Sequence, residues 1–133
     1  MPIQQMMLGS TPAETAKYID EVFNTQVYIG TGSNKSITNG IDLSSKGGMV
    51  WVKNREENYN HWLFTSSMGI GNAMRTNNDY DKWGFGSAGM VSFNDDGYTV
   101  GTHQGVNKAD DRMVAWTFRN SKAFQQLTYE GTG

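Results

Sequence analysis

The sequence predicts an all-β protein, an antiparallel β-sandwich with a short helix in front. Three observations predict it. Sixteen Gly against two Pro, with six Tyr, six Phe and four Trp, is the balance of a chain that turns often and covers pleated surfaces with aromatics. Short apolar runs recur at near-regular spacing, separated by clusters of Gly, Asn, Asp and Ser. No helical period is sustained after residue 23. With 133 residues the chain has the length of one domain. A closed barrel satisfies the same pattern as a sandwich.

The elements follow in order. Residues 1–9 carry Ile3, Met6, Met7 and Leu8 without apolar partners in their own segment. Such a segment reads as a frayed terminus or as an attachment arm, since Met adapts to irregular partner surfaces. Thr11-Pro12-Ala13-Glu14 predicts a helix over residues 12–18: Thr11 caps, Pro12 fits the first helical position and Glu14 completes a capping box. A helix this short needs something to lean on. Residues 25–29 form the first strand, closed by Gly30-Thr31-Gly32-Ser33-Asn34. Residues 36–38 end at Asn39-Gly40, a hairpin-type dipeptide. Met49-Val50-Trp51-Val52 predicts a central strand over 49–54, buried on both faces.

Residues 61–65 and 73–76 are the next strands, and residues 77–89 form a long loop holding Tyr80, Trp83 and Phe85. Residues 90–93 and 98–100 flank Asn94-Asp95-Asp96-Gly97, where Gly97 supplies the left-handed position of a bulged hairpin. A polar stretch over 101–111 leads to a strand at 113–119, and a final strand is expected at 124–130. Trp51, Trp62 and Trp116 fall in strands and are expected in the core.

The segment from Phe23 to Gly32 recurs at the end of the chain, from Phe124 to Gly133. Both copies open on Phe, carry Tyr at the same place and close on Gly-Thr-Gly. The spacing is too wide for a solenoid or propeller repeat and fits whole domains laid end to end. The organisation expected is therefore an attachment arm with a short helix (residues 1–22), a sandwich (residues 23–123), and the start of a second repeat or a C-terminal strand (residues 124–133).

Bulk properties narrow the function. Eleven basic and thirteen acidic residues leave a net charge of −2, so no basic stripe stands ready for a phosphate backbone and nucleic acid is not expected as a partner. The chain has no cysteine, which excludes disulfides and thiolate chemistry. No stretch approaches the ~20 apolar residues of a membrane helix, and the start lacks the pattern of a secretory signal, so membrane insertion is not expected.

Catalytic groupings are weak. His61 and His103 lie far apart in sequence without carboxylates at ligand spacing, so packing or hydrogen bonding is the expected role of each and no metal is expected. No Gly-x-Ser-x-Gly elbow is present. Glu56-Glu57, Asp79 with Asp81, Asp95-Asp96 and Asp110-Asp111 are the acid pairs, but neighbours on a strand point to opposite faces and Asp95-Asp96 suits a turn. No enzyme activity and no cofactor are expected. The run Asn77-Asn78-Asp79-Tyr80-Asp81 gathers oxygens of the kind calcium takes, and it equally suits a solvated loop. The same loop is the best candidate for sugar binding: Tyr80, Trp83 and Phe85 offer faces for a pyranose ring, with Asn78, Asp79 and Asp81 to bond its hydroxyls. The alternative is that Trp83 and Phe85 fold back and plug one end of the sandwich.

Three stretches carry a resemblance. They are Tyr28 to Gly32 running on through Ser36 to Leu43, Gly47 to Arg55, and Val114-Ala115-Trp116-Thr117-Phe118-Arg119. Together they resemble a repeated domain of tail and tail-fibre proteins of tailed bacteriophages, notably marine podoviruses of cyanobacteria and related hosts. The opening from Met1 to Gly9 resembles the start of such proteins weakly, and residues 56–112 are the most divergent part. The resemblance implies a concanavalin-A-like jelly roll, which favours the sandwich over the barrel. It also implies a structural or adhesive role in the virion tail, for a protein made in the host cytoplasm. The partners it implies are other virion tail proteins, met through Ile3, Met6, Met7 and Leu8, and sister chains in a homotrimer. A carbohydrate-binding module for host surface glycan is the alternative. Jelly-roll glycosidases carry Glu-x-Asp-x-x-Glu on one strand, and this chain lacks it.

Overall fold

The computed structural model describes residues 18–133. The first antiparallel sheet runs β1 (Phe23–Ile29), β9 (Arg112–Arg119), β3 (Gly48–Asn54), β4 (Trp62–Thr65), β5 (Asn72–Arg75) and β6 (Trp83–Gly84). The second runs β2 (Lys35–Thr38), β8 (Gly97–Val100) and β7 (Met90–Phe93). One 3-10 turn, Ile19–Glu21, leads into β1, another, Gly86–Ala88, precedes β7, and a single helical turn, α1 (Gln104–Asn107), precedes β9. The protein is an all-β sandwich with a short helical turn in front. Ile3, Met6, Met7 and Leu8, and all but the last residue of the helix expected over 12–18, lie outside the described residues.

The alternating pattern of each strand decides what fills the space between the sheets. Val50, Val52, Phe64, Met113 and Ala115 point inward from the larger sheet and meet Ile37, Met90, Tyr98 and Val100 from the smaller one. Each large side chain so buried stabilises the fold by roughly 1.5–3 kcal/mol. β3 is central, between β9 and β4, as its apolar run predicts. It is not buried on both faces, however: Val50 and Val52 are buried while Met49, Trp51 and Lys53 are partly exposed. Of the three tryptophans expected in the core, Trp62 is there. Trp51 and Trp116 instead pair across β3 and β9 on the outer face, ring centroids 5.1 Å apart. That face continues through the half-exposed Val27, Ile29 and Met74, so the larger sheet presents an apolar strip to solvent.

Several turns differ from their sequence reading for identifiable reasons. Asn39-Gly40 makes no hairpin, because β2 pairs with β8 and β3 with β4 and β9. It carries the chain from one sheet to the other, with the Asn39 amide donating to Thr117 Oγ1 at 3.0 Å and its oxygen accepting from the Ile41 N–H at 3.1 Å. The hairpin from β7 to β8 is present, but Gly97 is needed there for a different reason. Its φ is +152°, and a Cβ would lie 1.9 Å from the Ile37 carbonyl oxygen of β2. The strand expected at 124–130 is not formed. Phe124 stacks on Phe118 at 4.9 Å and the Gln126 side chain bonds Ser66 and Ser67, which draws this segment over the outer face instead of along a sheet edge.

The polar stretch over 101–111 contains α1 and the buried amide that fixes it. Asn107 is fully buried; its side-chain oxygen accepts from the Thr31 N–H at 2.9 Å, and its NH2 donates to the Ser33 and Gly101 carbonyls at 2.5 and 2.7 Å. The Tyr28 hydroxyl donates to the Val106 carbonyl at 2.6 Å. The Gly30-Thr31-Gly32 turn is thereby clipped to α1, and α1 holds the residues just before it in place.

Candidate functional site

Register places the site residues on one side of the larger sheet. Trp62 on β4 is opposite Arg75 on β5, and Ala73 on β5 is opposite Trp83 on β6. Cross-strand partners share a face and side chains alternate along a strand, so Trp62, Arg75 and Trp83 all face inward. Three strands do not cover six. At the β5–β6 end the inner face stays open as a cavity of about 510 Å³, walled by Tyr59 and Asn60 before β4 and by Thr102, His103 and Gln104 at the start of α1.

Trp62 forms the floor and is 4% exposed. Phe85 meets it edge-on at 4.6 Å and also packs against Phe64 at 5.7 Å. His103 stands edge-on to Phe85 at 4.6 Å. Gly105 makes this packing feasible, since a Cβ there would lie 2.5 Å from Trp62 Nε1 and 3.1 Å from His103 Nδ1. Phe85 therefore plugs the sandwich as one reading of the sequence expects, whereas Trp83 does not and remains 48% exposed.

Arg75 is the cation of the site. Its guanidinium lies 4.5 Å from the Tyr80 ring centroid, 5.1 Å from that of Trp83 and 5.9 Å from that of Trp62. It donates through Nη2 to the Asp81 carbonyl at 3.4 Å, its Nε is buried without a partner, and it makes no ion pair among the described residues. Trp62 Nε1 is also buried without a partner.

His103 caps α1: its Nδ1 accepts from the Gly105 N–H at 3.0 Å, leaving the ring proton of the neutral form on Nε2. Burial pushes its pKa below the ordinary 6.5. The unfolded chain then binds this proton at a higher pH than the native one does. Stability from this group is complete above the unfolded value and is lost as pH falls toward the lower native value. We expect the thermal midpoint to fall between about pH 7.5 and about pH 5.5, and His103→Asn, which keeps an acceptor at the cap, to flatten that slope. Differential scanning calorimetry across the range checks it.

Of the residues the sequence puts forward for glycan contact, Trp83 lines the cavity and Tyr80 stacks on Arg75. Asn78 serves the loop, donating to Asn60 at 3.3 Å and accepting from the Tyr80 N–H at 3.2 Å. Asp79 and Asp81 are exposed and are not among the lining residues. Of the other acids, Glu56 pairs with Arg112, Glu57 with Lys108 at 2.6 Å, and Asp111 takes an Asn54 amide proton at 2.9 Å. Among the described residues no group of three or more His, Asp or Glu is placed to hold a metal ion.

Tyr59, Asn60, Trp62, Arg75 and residues 102–104 are the cavity groups that the sequence does not announce. Arg75 alone leaves a signal, a cation two positions from the buried Ala73 on the same strand face. No curated protein and no solved structure matches the chain. A family model described as a domain of unknown function, DUF7483, matches residues 19–131, and the chain belongs to that family.

Proposed function

We propose that the protein is a non-enzymatic, structural component of a phage tail or tail fibre, and that its part in host adhesion is to bind surface glycan in the cavity between β4–β6 and α1. The observation that supports recognition is Arg75, held among Tyr80, Trp83 and Trp62 without an ion pair among the described residues. Exposed Trp83 offers a face to a sugar ring, while Tyr59, Asn60, Thr102 and Gln104 bring hydroxyl and amide groups to the same cavity. Carboxylates, which glycoside hydrolysis needs as a spaced pair, are not among its lining residues.

The virion role rests on the resemblance of the three strand-bearing stretches, which also suggests a concanavalin-A-like ancestry for the sandwich. On this reading residues 1–22 attach to other tail proteins, residues 23–123 are the sandwich, and residues 124–133 open a second repeat. The exposed Gly131-Thr132-Gly133 repeats the turn that Asn107 clips in the first copy. Sister copies of a homotrimer would bury the outer strip that carries Trp51 and Trp116.

The test is a glycan array probed with tagged protein. Discrete hits are expected, and Trp83→Ala is expected to abolish them at a stability cost below about 1 kcal/mol, because the side chain is half exposed and its main contact is the cation. Hits that survive Trp83→Ala would remove the cavity from the proposal.

A further inference from the structure

We propose that the cavity selects an acidic sugar, a pyranose bearing a carboxylate or a sulfate ester, with the anionic group seated on Arg75. The inference rests on the glycan-binding reading of the same cavity and specifies its ligand class. Among the described residues, Arg75 is the only lysine or arginine lining the cavity, beside Tyr59, Asn60, Thr102, His103 and Gln104. A guanidinium offers five N–H donors in a fixed fork. Here one of them reaches an acceptor, the Asp81 carbonyl at a long 3.4 Å. A neutral hydroxyl would satisfy the fork only in part. A planar carboxylate or a sulfate supplies parallel acceptors together with the missing charge.

The surroundings keep that cation available. Its three aromatic neighbours cannot neutralise it, and they fix its orientation before a ligand arrives, which reduces the ordering cost of binding. Asp79 and Asp81 lie in the adjacent loop, but neither carboxylate is within ion-pair distance of Arg75. Both are exposed to screening solvent, and Lys82 stands beside them. The half-exposed Trp83 next to the guanidinium provides a stacking surface for the ring that carries the acidic group.

The experiment is isothermal titration of the protein with three probes: tri-galacturonate, a sulfated galacto-oligosaccharide and neutral galactotriose. At least one acidic probe is expected to bind about tenfold or more tightly than the neutral one, the range a charge-assisted hydrogen bond gives. The two acidic arms tell carboxylate from sulfate. The preference should vanish in Arg75→Gln and survive in part in Arg75→Lys, with thermal melts confirming that both variants are folded. Equal affinity for acidic and neutral probes, or a preference that persists in Arg75→Gln, overturns the inference. If galactotriose binds as well as the acids do, and Trp83→Ala abolishes that binding, the acidic preference fails while the glycan-binding reading stands. If none of the three probes binds and the glycan array also shows no hits, both fail.

Discussion

Asn107→Ala is expected to lower the free energy of unfolding by about 2–4 kcal/mol, because it strands the buried Gly101 carbonyl and removes both bonds that tie the Thr31–Ser33 turn to α1. The side chain is fully buried and uses both ends, taking the Thr31 N–H and giving protons to the Ser33 and Gly101 carbonyls. Deleting the amide leaves the Gly101 carbonyl facing a small void, while the Thr31 N–H and the Ser33 carbonyl, in an exposed turn, lose a partner that water replaces in part. Each such group costs about 1–3 kcal/mol when stranded. A domain whose whole stability is about 5–15 kcal/mol would lose a large fraction of it. Asn107→Asp is expected to be worse at neutral pH, since a carboxylate would face two carbonyl oxygens, and to recover partly as acid protonates it. Urea denaturation followed by tryptophan fluorescence checks both variants. A cost under about 1 kcal/mol for the alanine variant would mean that the clip between Gly30-Thr31-Gly32 and α1 is not what holds this end of the sandwich.

That amide also illustrates what can be read from the sequence and what cannot. The strands at 48–54 and 112–119 are legible because Met49-Val50-Trp51-Val52 and Met113-Val114-Ala115-Trp116-Thr117-Phe118 are runs rich in β-branched and aromatic residues, bounded by Gly, Asn and Asp. Which face is covered is not legible. Met49-Val50-Trp51-Val52 suggests burial on both sides, yet the second sheet covers only one, leaving Trp51 and Trp116 to shelter each other. The turn at Asn39-Gly40 carries the composition of a hairpin, but local composition does not say in which sheet the next strand finds its partner. Asn107 looks like any polar residue in a loop. Its importance comes from Thr31, Ser33 and Gly101, and only the fold brings the first two near it. The cavity is hidden in the same way. Trp83 and Tyr80 announce themselves as aromatics in a polar loop, whereas Arg75, Tyr59 and His103 become a site only once β4, β5 and α1 are assembled around Trp62.

Trp62 joins the fold to the site, and its two substitutions are expected to separate these roles. Trp62→Ala empties the floor of the cavity and removes a core side chain that is 4% exposed, so a loss of about 3–5 kcal/mol is expected. Phe85 and His103, both packed edge-on to the indole, would lose that support, and Arg75 would lose one of its three rings. Glycan binding should disappear with the geometry. Trp62→Phe should behave differently. It leaves an aromatic against Phe85 and removes an indole N–H that is buried without a partner. Deleting both the unmet donor and part of the ring offsets two opposing terms, so the expected cost is only about 1–2 kcal/mol. Chemical denaturation gives the two stabilities, and titration with the best array hit gives the binding. A Trp62→Phe protein that is as unstable as Trp62→Ala would show that packing of the full indole against Phe85 and His103, and not its unmet N–H, sets the contribution of this residue. A protein that keeps its stability but loses its ligand would show that the full width of the indole floor, and not only an intact fold, is needed for recognition.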